Sequence, residues 1–458
     1  MRKILNNNDK IKPLKYKETN LKRKMIIVTL VFSVLLISGM CLYKAFAAFN
    51  EQKQFNVING TVSDPGDIYF AYYVDDKITR DIPTQDSGYT LDTTKSTCTN
   101  GVTVGWDQTN WTALVNYQKY NATNNTRTKC DLYFKVKPPM ISEYITKLAQ
   151  TDKTNLAIDD YGNIRYIGAN PNNYVNIDGD IWRIIGTMKS VDDGKGNKED
   201  RVKLIRASSI GSYSWDTSAS GDSSLNSGMG VNEWSQADLM KLLNPGYESE
   251  SVGGSLYWNK KSGTCYTGHG DTTSSCSFTS SGINDKLKLL IGDAVWNTGA
   301  TNSSYLTAKL YQSERENDTG KKCTIGSTWC TDTVTRTATW TGKLAIMYPS
   351  DYGYATSGGS TTDRATCLNT DLGVWGNYSE CYNNDWLYDG NTQWFLNPVA
   401  LASYAVFGNY LIYGSVVFNN SGDTVVYKKY DIKPTTYLLS NVSIKSGDGS
   451  SSNPFILG

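Results

Sequence analysis

The sequence contains one histidine, His269, in 458 residues. Any Ser-His-Asp or Cys-His nucleophilic site would have to be built on it. It stands in Cys265-Tyr266-Thr267-Gly268-His269-Gly270-Asp271, where the flanking glycines describe an exposed loop rather than a held catalytic base. No C-x-x-C spacing occurs, so a zinc site would need thiolates converging from distant loops. No glycine-rich phosphate loop of the required spacing is present. Paired acids offer no better start: Glu314 and Glu316 flank Arg315, but positions two apart on a helix point different ways. An ion pair with Arg315, or plain solvation, is the expectation there. These patterns assign no catalytic residue and no metal ligand.

A surplus of one charge is also missing from the bulk of the chain. Residues 1–24 carry nine Lys/Arg against Asp9 and Glu18, and the remainder carries 36 basic against 42 acidic residues. A mildly acidic body with no long basic run gives no reason to expect a nucleic-acid partner. Phenylalanine is sparse, with 11 Phe against 31 Tyr and 12 Trp. Rings with a polar handle suit half-exposed recognition surfaces, and β-structure favours them as well.

Long apolar runs are absent but for one. Met25 to Tyr43 reads MIIVTLVFSVLLISGMCLY, 19 residues without a charge, at the lower end of what spans a bilayer as a helix. Lys22, Arg23 and Lys24 precede it directly, with Lys10, Lys12, Lys15 and Lys17 upstream. That cationic excess holds the N-terminal end in the cytoplasm and puts the C-terminal bulk outside. The expectation is a single-pass cell-membrane protein whose membrane contact is residues 25–43. The competing reading is a cleaved signal peptide, since Ala45-Phe46-Ala47 before Ala48 has the small-x-small pattern of a cleavage site. The body would then be secreted. Both readings export it.

Cysteine usage fits export. Cys41 lies in the apolar run, and eight remain: Cys98, Cys130, Cys265, Cys276, Cys323, Cys330, Cys367 and Cys381. An even number in an oxidising compartment reads as disulfides. Sequence clustering suggests Cys98–Cys130, Cys265–Cys276, Cys323–Cys330 and Cys367–Cys381, although eight cysteines allow about 105 pairings.

The expected layout is a basic tail over 1–24, a transmembrane helix over 25–43, a stalk over 44–52, a small all-β, sandwich-like domain over 53–137, a linker helix over 138–152, and a larger α+β domain over 153–458. Alternating runs FNVING, DIYFAYYVDD and DLYFKV give the antiparallel strands of the first domain, with a turn at Asp64-Pro65-Gly66-Asp67. Pro138-Pro139 ends it. Ile141, Tyr144, Ile145 and Leu148 then form one helix face and read as a connector. Further on, Asp178-Gly179 between apolar runs predicts a hairpin. The polar tip Asp192-Asp193-Gly194-Lys195-Gly196-Asn197 predicts a second, solvated one, because it lacks the closing Glu of a calcium loop. Helices are expected from Ser235 as cap to Leu243, over Asn284 to Trp296, and over Tyr305 to Glu314. Strands among helices give the α+β class.

The stretch directly after Cys381 gathers Asn383, Asn384, Asp385, Trp386, Tyr388, Asp389 and Trp394. Rings beside short amides and carboxylates offer apolar faces to stack and aimed hydrogen bonds. Asn384, Asp385, Trp386, Tyr388 and Trp394 are the candidate ligand-binding residues. The opposing reading makes Trp386 and Trp394 core rings.

A family resemblance rests on several stretches. They are GNIRYIGANPNNYV from Gly162 to Val175, WRIIG from Trp182 to Gly186, VKLIR from Val202 to Arg206, GSLYWN from Gly254 to Asn259 and MYPSDYGYAT from Met347 to Thr356. YLLSNV from Tyr437 to Val442 and SGDG from Ser446 to Gly449 complete them. Over roughly residues 160–458 the chain resembles a family of exported proteins of gut-dwelling Gram-positive bacteria, of unknown function. More distantly the layout is similar to C-type-lectin-like folds, including the formylglycine-generating type. That resemblance implies a lectin-like α+β domain; no cofactor is expected, with calcium as the one alternative. The calcium-binding proline motif of sugar-binding lectins is not evident, and the paired catalytic cysteines of the formylglycine-generating type cannot be placed. The functional expectation is non-enzymatic adhesion or ligand binding, to a glycan or a surface protein. A cell-wall or glycan-processing enzyme and a structural envelope protein are the alternatives.

Overall fold

The structure, a computed structural model, describes residues 68–80, 82–85, 87–116, 127–217, 230–301, 305–316, 337–399, 408–417 and 425–458. The expected tail, membrane helix and stalk, the turn at Asp64-Pro65-Gly66-Asp67, and the Cys323–Cys330 pair lie outside the described residues. Among those described, no helix is long and apolar enough to cross a membrane. The fold is mixed α+β, mostly sheet with few helices. It divides into two compact units, Met1–Lys137 and Pro138–Gly458.

The first unit is all-β where described. Its strands are β1 (Ile68–Val74), β2 (Lys77–Thr79), β3 (Tyr89–Leu91), β4 (Thr97–Cys98), β5 (Thr103–Asp107), β6 (Thr112–Asn116) and β7 (Thr128–Val136). One sheet runs β2-β1-β7-β3 with β4 also on β7, and the β5–β6 hairpin forms a second layer. In β7, Thr128, Cys130, Leu132 and Phe134 alternate inward, which is the period a half-buried strand requires. They meet Trp111, Ala113 and Val115 of the other layer. Cys98 and Cys130 sit directly opposite in β4 and β7 and are disulfide-bonded. The all-antiparallel expectation is corrected at one pair, since β1 runs parallel to β7. Parallel neighbours need a long crossover, and β3 to β6 provide it.

The second unit opens with α1 (Ile141–Thr151), followed by β8 (Leu156–Ile158), β9 (Ile164–Tyr166), β10 (Tyr174–Ile177), β11 (Asp180–Asp192), β12 (Lys198–Arg206) and β13 (Ser212–Ser214). Then come α2 (Asp238–Leu243), β14 (Ser262–Gly268), β15 (Thr272–Ser277), α3 (Asp285–Leu290), β16 (Ala294–Asn297), α4 (Thr307–Arg315), β17 (Thr339–Gly342) and β18 (Leu344–Ala345). The C-terminal part holds α5 (Pro349–Ala355), α6 (Arg364–Leu368), α7 (Ser379–Asn383), β19 (Gln393–Pro398), β20 (Gly408–Ile412), β21 (Ser415–Val417), β22 (Lys429–Asp431), β23 (Thr435–Tyr437), β24 (Ile444–Ser446) and β25 (Phe455–Leu457).

The main sheet runs β18-β23-β12-β11-β10-β25-β24, with β9 beside β11 and β8 beside β9. A second sheet runs β13-β22-β19-β20-β21. The long β11–β12 hairpin is the spine. Its middle is buried on both faces, so these strands read as near-continuous apolar runs rather than alternations. The turn that starts it is as expected: Asp178 and Gly179 take φ of 49° and 90°, the paired positive values of a two-residue hairpin. Gly186 stands at a register shift, where a Cβ would lie 2.0 Å from the Ile164 carbonyl oxygen. Only glycine lets β9 come that close.

Three helix expectations need correction. α1 is no free connector: Ile141, Ile145 and Ala149 are buried in the second unit's core. Ser235 does not cap α2, because Glu233 takes its N–H and hydroxyl at 3.1 and 2.7 Å and a 3-10 turn intervenes over Trp234–Gln236. Asn284 does cap α3, accepting from the Lys286 N–H at 2.8 Å, but the helix stops at Leu290. Beyond it Ala294 and Trp296 turn inward with period two, and β16 pairs with β17.

Candidate functional site

The stretch after Cys381 is well placed, but its tryptophans do not form a surface. Trp386 is 7% exposed and Trp394 2%. The Trp386 indole N–H donates to the Tyr166 carbonyl at 2.9 Å, and the Arg183 guanidinium lies 4.5 Å from its ring. Burial pushes that guanidinium down to about 10. Trp394 lies in β19, which is buried along its whole length, and its indole N–H donates to the Tyr213 carbonyl at 3.2 Å. Both rings are core, which corrects the candidate platform. For Trp394 the physical reason is that β19 is the middle strand of its sheet and is covered on both sides; Trp386 is buried against the Tyr166 backbone of β9 and the Arg183 side chain of β11. Asn384 donates to the Glu380 carbonyl at 3.0 Å and closes α7.

Asp385 is buried and splices three segments, forming single β-bridges with Gly168 and with Thr356. One carboxyl oxygen accepts from the Leu387 N–H at 2.9 Å; the other is buried without a hydrogen-bond partner. Burial therefore pushes this carboxyl well above the usual range, against the pull of the Leu387 N–H, of Arg364 and of the Tyr388 N–H.

Tyrosine makes the surface instead. A 3-10 helix over Leu372–Asn377 turns Leu372 and Trp375 into the core, which leaves Val374 and, just beyond it, Tyr378 outward at 44% and 39% exposure. The β20–β21 hairpin comes alongside, with the Gly376 N–H donating to Ser415 Oγ at 2.7 Å. Its tip places Tyr413 at 78% exposure with φ of 49°. With Gly414 at φ of 77° it makes the same two-residue hairpin turn as Asp178-Gly179, which sets the Tyr413 ring outward. Behind the tip, Gly414 packs against the Tyr382 ring, and Tyr382 meets Tyr388 edge-on at 5.2 Å. Asn383 is exposed beside them. The Cys367–Cys381 disulfide ties α6 to α7 beneath this face. Glu380 braces it further: its carboxylate takes the N–H groups of Ser360, Thr361 and Thr362 and is held down at about 2 by the Thr361 hydroxyl and those N–H groups. Of the candidates, Tyr388 and Asn384 thus belong to this face, Asp385 lies beneath it, and Trp386 and Trp394 are core. Tyr378 and Tyr413 escaped sequence reasoning because their exposure depends on two segments far apart in the chain.

Elsewhere the acids are used internally. Glu314 is fully buried, pairs with Arg315 at 2.9 Å and accepts the Ser350 N–H and hydroxyl, while Glu316 is exposed. Asp216 and Asp238 interact beneath the surface, and burial followed by the Asp238 charge pushes Asp216 well up. The recess beside Asp238 has room for about one water. His269 is exposed at the tip of the β14–β15 hairpin, as its glycines imply. The polar tip at 192–197 satisfies itself, with Asp193 accepting from Lys195 and Asn197.

A buried ionic cluster joins the main sheet to α5. Arg165 of β9 pairs with Asp159 at 2.9 Å and with Asp351 at 2.7 Å. Lys203 of β12 reaches the other Asp351 oxygen at 2.5 Å. Burial works against the charge of Asp351, yet Lys203 and Arg165 hold its carboxyl below the usual range. Lys203 is pushed down to about 8 by burial, against the pull of Asp351. Sequence reasoning gave these residues no role, although a lysine between Val202 and Leu204 in a strand buried on both faces was the available signal.

Comparison with protein families, with curated proteins and with solved structures gives no match to this chain.

Proposed function

We propose that this chain is a membrane-anchored extracellular protein whose second unit, on a C-type-lectin-like scaffold, binds a glycan or a surface protein without transforming it. The observation that carries the reading is the tyrosine face. Tyr378 and Tyr413 stand out beside half-buried Tyr382 and Tyr388, with Asn383 alongside and a disulfide beneath. Rings with a polar handle stack on apolar sugar faces and donate hydrogen bonds at low entropic cost. Export is supported by three disulfides among the described residues, which persist in oxidising compartments, and by the basic tail before the apolar run.

The test is a glycan array probed with purified residues 50–458, with and without calcium. Specific binding is expected, and Tyr413→Ala should weaken it by at least about tenfold, as loss of an aromatic anchor does. Calcium dependence would add an ion to the site. A silent array would sink soluble-glycan recognition and turn the search to protein partners.

A further inference from the structure

We propose that Lys203 and Asp351 condense to an intramolecular amide, a covalent staple between β12 and α5 inside the second unit. Lys203 Nζ stands 2.5 Å from Asp351 Oδ2, and the two side chains are 1% and 2% exposed. They come from positions 148 residues apart, so the contact belongs to the folded state alone. Aromatic rings wall the amine: Tyr348 at 3.9 Å, Trp296 at 5.3 Å and Tyr437 at 5.5 Å from Nζ to the ring centres. The charged groups facing the pair are Arg165, which contacts Asp351, Arg315 on the lysine side, and buried Glu314, which is held on Ser350 next to Asp351.

The step balances without a co-reactant. Proton transfer inside the contact turns ammonium and carboxylate into amine and acid. The Nζ lone pair then forms the Nζ–Cγ bond and the Cγ–Oδ2 bond breaks. Oδ2 leaves as water, carrying its own proton and one from nitrogen. Arg165 Nη1, 2.7 Å from Oδ1, faces the oxygen on which negative charge develops. The Tyr348 N–H donates at 3.0 Å to the oxygen that departs. Fixed contact replaces a bimolecular encounter, and the buried site keeps bulk water from reversing the reaction. Two buried charges disappear together, which removes their desolvation cost. The Arg165–Asp159 pair stays balanced.

The experiment is peptide mapping by mass spectrometry of the full-length protein after reduction, denaturation and digestion. The expected result is one branched species that contains both Lys203 and Asp351 and is lighter by one water than its two arms. In Lys203→Arg protein the arms should appear as separate linear peptides. Linear Lys203 and Asp351 peptides from the wild type, with no branched species, would overturn the proposal. So would a water loss that maps to another pair. The wild-type digest decides the matter whether or not the variant folds, and no outcome depends on ligand binding.

Discussion

Asp385 holds a carboxyl that the fold keeps from water, with one oxygen unpartnered. Its pKa is raised in the folded state by burial, so the folded chain holds a proton that the unfolded chain releases above about 4. A raised folded pKa contributes stability that is fully present below the unfolded pKa and is lost as pH rises through the folded one. Between those limits the cost is about 1.4 kcal/mol per pH unit. Asp385→Asn removes that slope. Denaturant unfolding of both proteins from pH 4 to 8 should show the variant gaining on the wild type as pH rises; parallel curves would mean that Asp385 ionises freely. Legibility also divides at this scale. Trp386, Tyr388 and Asn384 were visible as a cluster of ligand-friendly side chains. Burial was not, because an indole N–H that meets the Tyr166 carbonyl depends on a strand more than 200 residues earlier.

Among the elements, those set by neighbouring residues were legible. Asp178-Gly179 demands its turn, and Asn284 its cap. Cys98, Cys265 and Cys367 pair with Cys130, Cys276 and Cys381 as their clustering suggests. Elements set by tertiary pairing were not. β16 becomes a strand because β17 is there to receive it, and β1 runs parallel to β7 for the same kind of reason. The Cys367–Cys381 staple has a consequence for the tyrosine face. It spans 14 residues, and removal through Cys367→Ser with Cys381→Ser should cost about 3 kcal/mol in denaturant unfolding. Any ligand affinity should fall with it, because α7 and the rings that follow lose their tie. Unchanged stability would show that packing of α6 and α7 alone fixes the face.

At the scale of the whole molecule, the charge distribution and the disulfides both fit the proposed export. Nine Lys/Arg crowd the first 24 residues, before the apolar run, and every disulfide among the described residues lies after that run. The α+β class was legible from alternating strands and short amphipathic helices. The main sheet's order was not, since β10 pairs with β25 across most of the unit's sequence. The proposed function depends first on where the units stand, and the most direct measurement is protease treatment of intact cells carrying epitopes at both ends of the chain. The C-terminal epitope should be lost while the N-terminal one survives in the cell fraction until lysis. A C-terminal epitope that stays protected until the cells are opened would contradict surface placement, and with it ligand binding outside the cell.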